Sequence, residues 1–471
     1  MRFDADDGGV VKIKHKIIIM VCAVFILAAC AGGYTYYRMT HFNKHVEING
    51  INVGAMSADN AVNHLKKRSV SNNVYLNNKL FFHGKKTASG FTAADTAKIK
   101  KLVQKQWTWF PSKKTVSYQI VPSKMSNYRQ KVVRQKVKEL LTQKNLTRQQ
   151  AVDAAATLEY GKISVSAPKS GKQYDVNAIM REFDKKQELA SIKLTGTIKQ
   201  PLTAQSKKVT EEKTKLNSLA QRSVAYKVQQ TTYNLAAKDV LSKVTYSNGK
   251  YQIEQAGILK EVDQINQKQA TLKKSISFKT HAGKQVTVAG GTYGWALKAS
   301  DAVKSITTAF VKDTKQIDAS SDIYGVGYLT YGTGYSNTAN NGLGTTYAEV
   351  SISDQHAWFY KDGKEVYSTE IVTGKHSTNE DTPTGLWYVM YKQSPSTLKG
   401  SEAGNSNYSV KVNYWAQFTN SGCGFHDASW RTDWSSTAYL KNGSGGCVNT
   451  PSDHMESVYN NLSQGEPVVV Y

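Results

Sequence analysis

From Ile17 to Tyr37 the chain carries no charged residue and is mostly apolar. A helix rises ~1.5 Å per residue, so this run can cross a hydrocarbon core of ~30 Å. Arg2, Lys12, Lys14 and Lys16 precede it, while only Arg38 and Lys44 follow within a dozen residues. Basic flanks stay on the cytoplasmic side. Residues 1–16 are therefore expected in the cytoplasm, residues 17–37 as a single-pass transmembrane anchor, and the rest outside the cell. A cleaved secretory signal is one competing reading. A lipoprotein cleavage box at Leu27-Ala28-Ala29-Cys30 is another. The apolar run continues past Cys30 at a spanning length, which favours the retained anchor. All three readings export the remainder.

With 471 residues, 40% hydrophobic and 21% charged, the exported part has material for two or three packed domains. The net charge of +25 is unevenly spread. Residues 345–471 hold 8 Lys and Arg against 13 Asp and Glu, a balance of −5, which leaves +30 upstream. A basic front joined to a mildly acidic end divides two tasks over one chain and argues against a nucleic-acid binder. Only Cys423 and Cys447 are exported, too few for a disulfide scaffold. No CxxC or HxxxH spacing accompanies them, so no metal site and no cofactor are expected. The two exported cysteines are either a disulfide with each other or two free thiols. The glycine-rich setting of Cys447 favours the free thiol.

Residues 38–331 alternate short β-prone runs with lysine-rich amphipathic helices, an α+β pattern. Ser57 and Asp175 stand as N-caps of two such helices, and Gly294-Trp295-Ala296-Leu297 leads into a third. The recurrence suggests a repeated unit. Its lysines (Lys98, Lys100, Lys101, Lys105; Lys207, Lys208, Lys213, Lys215) read as solvated helix faces, with attraction to an anionic wall polymer as the functional alternative. Gly332–Leu343, uncharged and rich in Gly, Ser, Thr and Asn, reads as a linker. From residue 345 to 471 the pattern becomes mostly β. Asp362-Gly363 joins two strands as a tight hairpin turn. One late helix is expected, with Thr450 as its cap, Pro451 in its first turn, and Met455, Val458, Tyr459 and Leu462 on one stripe.

The chemistry-bearing segment is Gly424-Phe425-His426-Asp427-Ala428 followed, after fifteen residues, by Ser444-Gly445-Gly446-Cys447-Val448-Asn449. A thiol is a weak nucleophile until an imidazole takes its proton, and the imidazole can then return that proton to a leaving amine. Gly445 and Gly446 let the backbone approach a substrate and turn N–H groups toward an oxyanion. A helix start just after Cys447 would add partial positive charge. The bland competitor is a buried cysteine and a strand histidine that never meet. Asp427, beside His426 in sequence, points to the opposite face of a strand.

These residues resemble the YkuD-type catalytic domain of bacterial L,D-transpeptidases. His426, the gap, Ser444, Gly446, Cys447 and Asn449 follow the family pattern, as do Thr382-Pro383-Thr384-Gly385 and Asn413-Tyr414-Trp415. The upstream region resembles the peptidoglycan-binding units that accompany such domains, through Ile48–Gly54 and Gly291–Trp295. The resemblance implies a cell-wall enzyme that builds 3→3 peptidoglycan crosslinks without a metal. Cys447 would attack the carbonyl of a diamino acid in a donor stem peptide. D-Ala would leave with a proton from His426, and the amine of an acceptor stem would resolve the thioester. A main-chain carbonyl would orient the imidazole. Ser444 and Gly446 complete the catalytic set; Trp415, Asn449 and Gly445 are the substrate-side candidates. The family's histidine before Gly-Cys is Gly445 here. An inactive, membrane-anchored wall-binding relative is therefore the alternative, and a wall endopeptidase the nearest other enzyme.

Overall fold

The computed structural model describes residues 8–471 except Ser112 and Ala190; Arg2, one of the basic flanking residues, lies outside the described residues. The apolar run forms part of a helix over Gly8–Thr40. Among the described residues, His15–Thr40 is the one segment long and apolar enough to cross a membrane. Its Ile17–Leu27 side chains stand exposed, as a lipid-facing surface requires.

The chain divides into two compact units, residues up to 154 with 167–203, and residues 155–166 with 204–471. Besides a short pairing of Ser69–Val70 with Thr87–Ala88, the first unit holds two three-stranded sheets, each flanked by helices with buried apolar stripes. In one, Val46–Ile48 pairs antiparallel with Ile51–Asn52 and parallel with Val116–Tyr118. In the other, Val74–Leu76 pairs antiparallel with Lys79–Phe82 and parallel with Ile192–Leu194. Ser57 accepts from Asn60 N–H and Asp175 from Ala178 N–H, so both caps form. The second unit repeats the arrangement: Ser223–Val228 pairs antiparallel with Thr231–Ala236 and parallel with Gln316–Asp318. The lysines singled out in sequence are exposed along helices Thr96–Lys105 and Lys207–Ala220.

The expected linker is packed instead. Thr333 N–H donates to Gly294 O, Gln229 N–H to the Tyr335 hydroxyl, and the Tyr293 hydroxyl to Gly342 O, while Leu343 is fully buried. Composition suggested flexibility, but these small polar residues find fixed partners, and each such bond opposes the entropy of a free segment.

The last domain is a β-sandwich. We label its strands β1 (Tyr347–Ser351), β2 (His356–Lys361), β3 (Lys364–Glu370), β4 (Gly385–Tyr388), β5 (Tyr391–Gln393), β6 (Ser396–Glu402), β7 (Asn405–Val412), β8 (Trp415–Gln417), β9 (Gly424–Asp427), β10 (Val448–Thr450) and β11 (Pro467–Val470). One sheet runs β3-β2-β1-β11-β4, the other β5-β8-β9-β10, and β6-β7 is a separate hairpin. Asp362 and Gly363 take positive φ angles, 48° and 78°, as the β2–β3 turn demands. Val350, Phe359, Phe418, Phe425, Val448 and Val470 fill the core between the sheets. The outer face of the five-stranded sheet is covered by Ile276, Phe278, Tyr293 and Leu343, which pack on Leu386, Tyr388 and Val469.

Two helices, not one, lie late in the domain: α1 (Ala438–Asn442) between β9 and β10, and α2 (Met455–Asn460) between β10 and β11. The late helix starts at Met455, later than expected, because Thr450 pairs with Asp427 in the sheet ladder. The tertiary ladder overrides the local capping signal. Cys447 therefore precedes a strand, and no helix dipole acts on it.

Candidate active site

Strands β9 and β10 run parallel, with Phe425 opposite Val448, His426 opposite Asn449 and Asp427 opposite Thr450. Side chains alternate along a strand. Phe425 and Val448 enter the sandwich core. His426 and Asn449 therefore stand on the other face, and Cys447, two residues before Asn449, shares it. The sheet thus brings the thiol and the imidazole to one face of neighbouring strands. Asp427 is on the opposite face, where its carboxylate accepts from the N–H groups of Asn413 and Tyr414 at 2.8–3.0 Å. It shapes the chain entering β8 and stands apart from the thiol.

The imidazole is tightly held. His426 is 3% exposed, and its Nδ1 donates to Asp427 O at 3.0 Å. That bond leaves the lone pair on Nε2. With its amide oriented to satisfy both ends, Asn449 donates to Nε2 at 3.0 Å and accepts from Arg431 Nη2 and Nε at 3.0 and 3.1 Å. Burial lowers the His426 pKa below its ordinary value, against the opposing pull of Asp427. Burial also pushes the Cys447 thiol up to about 12, with Cys423 and Glu402 adding to the shift. The two groups therefore rest as neutral thiol and neutral imidazole. The thiol donates to Gly422 O at 3.7 Å, and among the described residues no hydrogen bond joins it to His426. Cys423 is buried behind the turn, and the two thiols are not bonded to each other.

The Ser444–Cys447 turn is built by side chain and glycine together. The Ser444 hydroxyl donates to Cys447 O at 2.5 Å and accepts from Gly446 N–H at 3.1 Å. Gly446 has φ +115°, and a Cβ there would come within 3.0 Å of Cys423 Sγ. Glycine is needed at this position on both counts. The Thr382 hydroxyl accepts from Gly374 N–H at 3.0 Å and donates to Gly446 O at 2.8 Å. Thr382→Val keeps the shape and leaves both buried backbone groups unpaired. It should cost about 2–4 kcal/mol, read as a lowered thermal midpoint; an unchanged midpoint would remove this bridge from the account.

Of the substrate-side candidates, Trp415 is buried, pairs with His426 across β8–β9, and sits with its ring 6.0 Å from the imidazole. Asn449 faces the imidazole. Gly445 is exposed at the turn, and a Cβ there would lie 3.0 Å from Glu402 Cβ. Sequence reasoning passed over Trp430, which is 50% exposed and stacks on His426 at 5.7 Å. It also passed over Arg431, Glu380 and Glu402. Trp430 and Arg431 follow His426 closely enough to have been suspected. Nothing local marks Glu402, which arrives on a distant hairpin.

Residues 345–470 match the model of the L,D-transpeptidase (YkuD) catalytic domain. No curated protein matches the chain. The solved catalytic domain of an Enterococcus faecium L,D-transpeptidase, acylated by ertapenem, is 39% identical over 27% of this chain and 97% of that one, with a TM-score of 0.25. A longer E. faecium L,D-transpeptidase, crystallised with a cysteine replaced by serine, is 28% identical over 54% of this chain and 97% of that one, with a TM-score of 0.44. An L,D-transpeptidase 3 from Mycobacterium tuberculosis is 24% identical over 27% of this chain and 62% of that one, with a TM-score of 0.23. The family model matched over residues 345–470 shows that this part of the chain is an L,D-transpeptidase (YkuD) catalytic domain.

Proposed function

We propose that the chain is a cysteine-dependent L,D-transpeptidase that forms 3→3 crosslinks between peptidoglycan stem peptides. The observation that carries this reading is the shared strand face of Cys447 and His426, with the imidazole oriented by Asp427 O. As a donor stem binds, Nε2 takes the thiol proton and sulfur forms a bond to the carbonyl carbon. The Cys447 N–H is the backbone donor for the oxyanion, since Ser444 already takes that of Gly446. The C–N bond to D-Ala breaks, and His426 returns its proton to the leaving amine. The amine of the acceptor stem then attacks the thioester, the C–S bond breaks, and the proton released reaches sulfur through His426. No residue of this scheme calls for a metal.

The second reading, an inactive wall-binding relative, is favoured by Gly445, by the raised thiol pKa and by the engagement of Nε2 with Asn449. Intact-mass spectrometry of the solubilised chain after exposure to a carbapenem separates the two. One adduct on Cys447 supports the enzyme; an unmodified, folded protein supports the relative.

The Gly8–Thr40 helix serves in this reading as the anchor, with the N-terminus cytoplasmic and the catalytic domain facing the wall; removal as a signal sequence is the competing fate. The upstream excess of +30 attracts anionic wall polymer. The full chain should sediment with purified walls at low salt and be released as the ionic strength rises toward ~1 M, where screening acts within ~3 Å. Sedimentation indifferent to salt would remove the electrostatic account.

A further inference from the structure

Gly445 leaves a gap beside the nucleophile, and the structure fills it from elsewhere. The β6–β7 hairpin brings Glu402 over the Ser444–Cys447 turn. A side chain built at Gly445 would start 3.0 Å from Glu402 Cβ and 3.4 Å from its Oε2. The placement is held through Glu380. Ala403 N–H, next in the chain, donates to Glu380 Oε1 at 2.5 Å, and Glu380 Oε2 accepts from Thr378 Oγ1 at 2.5 Å. Glu380 belongs to the loop that lines the turn, where Lys375 N–H donates to Ser444 O at 2.8 Å and Thr382 reaches Gly446 O. The hairpin tip is thus latched to the wall of the cysteine site. Glu402 itself is exposed, and among the described residues no lysine or arginine forms an ion pair with it. An unpaired carboxylate at the mouth of a thioester site is suited to a cation.

We propose that Glu402 recognises the acceptor, binding the protonated side-chain amine of the second stem peptide beside the acyl-enzyme. This rests on the transpeptidase reading above. A bound ammonium cannot attack until it loses a proton. Glu402 takes that proton and releases it to water. The nitrogen pair then forms the C–N bond, the C–S bond breaks, and the second nitrogen proton passes through His426 to sulfur. An uncharged nucleophile needs neither the attraction nor the first proton transfer.

The test uses the full solubilised chain, loaded with a tetrapeptide donor. Partition of the acyl-enzyme is compared between a lysine-type ammonium acceptor and hydroxylamine, which is uncharged at neutral pH. In Glu402→Gln the kcat/KM preference for the ammonium acceptor over hydroxylamine should fall about tenfold. Glu402→Asp should keep part of it. In the wild type, added salt should raise KM for the ammonium acceptor and spare hydroxylamine. A preference unchanged in Glu402→Gln, or equal loss with both nucleophiles, overturns the assignment. Normal acyl-enzyme formation in the wild type, seen by mass, shows that such a failure belongs to Glu402 alone. Absence of any acyl-enzyme would bring down the transpeptidase reading and this one with it.

Discussion

Cys447→Ala should abolish carbapenem acylation and reduce turnover of a tetrapeptide donor on the order of 10⁴-fold or more, while the chain stays folded. The thiol donates only a long hydrogen bond, to Gly422 O at 3.7 Å, so its loss costs the fold little. Cys423 cannot replace it. That thiol belongs to the sandwich core and lies behind Gly446, where even a methyl group would crowd it. Intact mass should therefore show one adduct on the wild type and none on the variant. An adduct on Cys447→Ala that maps to Cys423 would move the nucleophile and defeat the assignment.

His426→Ala should lower the acylation rate by roughly 10²–10⁴-fold near neutral pH, and the pH dependence should change form. In the wild type the base must be unprotonated. Burial holds the His426 pKa below 6.5, so the base is ready throughout the neutral range. The rate should fall only as the pH drops through that lowered value and stay level above it. Without the imidazole, acylation depends on the thiolate fraction. With the thiol pushed up to about 12, that fraction rises about tenfold per pH unit across the neutral range. A wild type level between pH 7 and 9 beside a variant climbing steeply is the expected pair. A variant with the wild-type profile would mean that another group takes the proton.

Asn449 and Arg431 bear on the same step. In the resting structure the Asn449 amide occupies Nε2, the nitrogen that receives the thiol proton in the proposed mechanism. In that mechanism donor binding frees the lone pair. Arg431, which also donates to Asn442 O at 2.6 Å, fixes the other end of the amide and so sets how readily it turns away. The imidazole is held for the reaction by its Nδ1 side and restrained on its Nε2 side.

Some of this was legible in the residues alone. The apolar run at 17–37, the Asp362-Gly363 turn, the Ser57 and Asp175 caps and the alternation that turns Asp427 away from His426 each depend on a few neighbouring residues. Local sterics and hydrogen bonds decide such features. The Cys, His and Gly types are likewise chosen by chemistry that no distant segment can supply. Other features belong to the tertiary structure. The parallel β9–β10 register sets His426 beside Asn449, draws Thr450 into a strand and delays the last helix to Met455. Packing against Gln229, Tyr293 and Gly294 turns an apparent linker into fixed structure. The hairpin that carries Glu402 over Gly445 joins positions far apart in the chain. Register and approach between segments follow from how whole faces bury against one another, and no short window of sequence contains both faces.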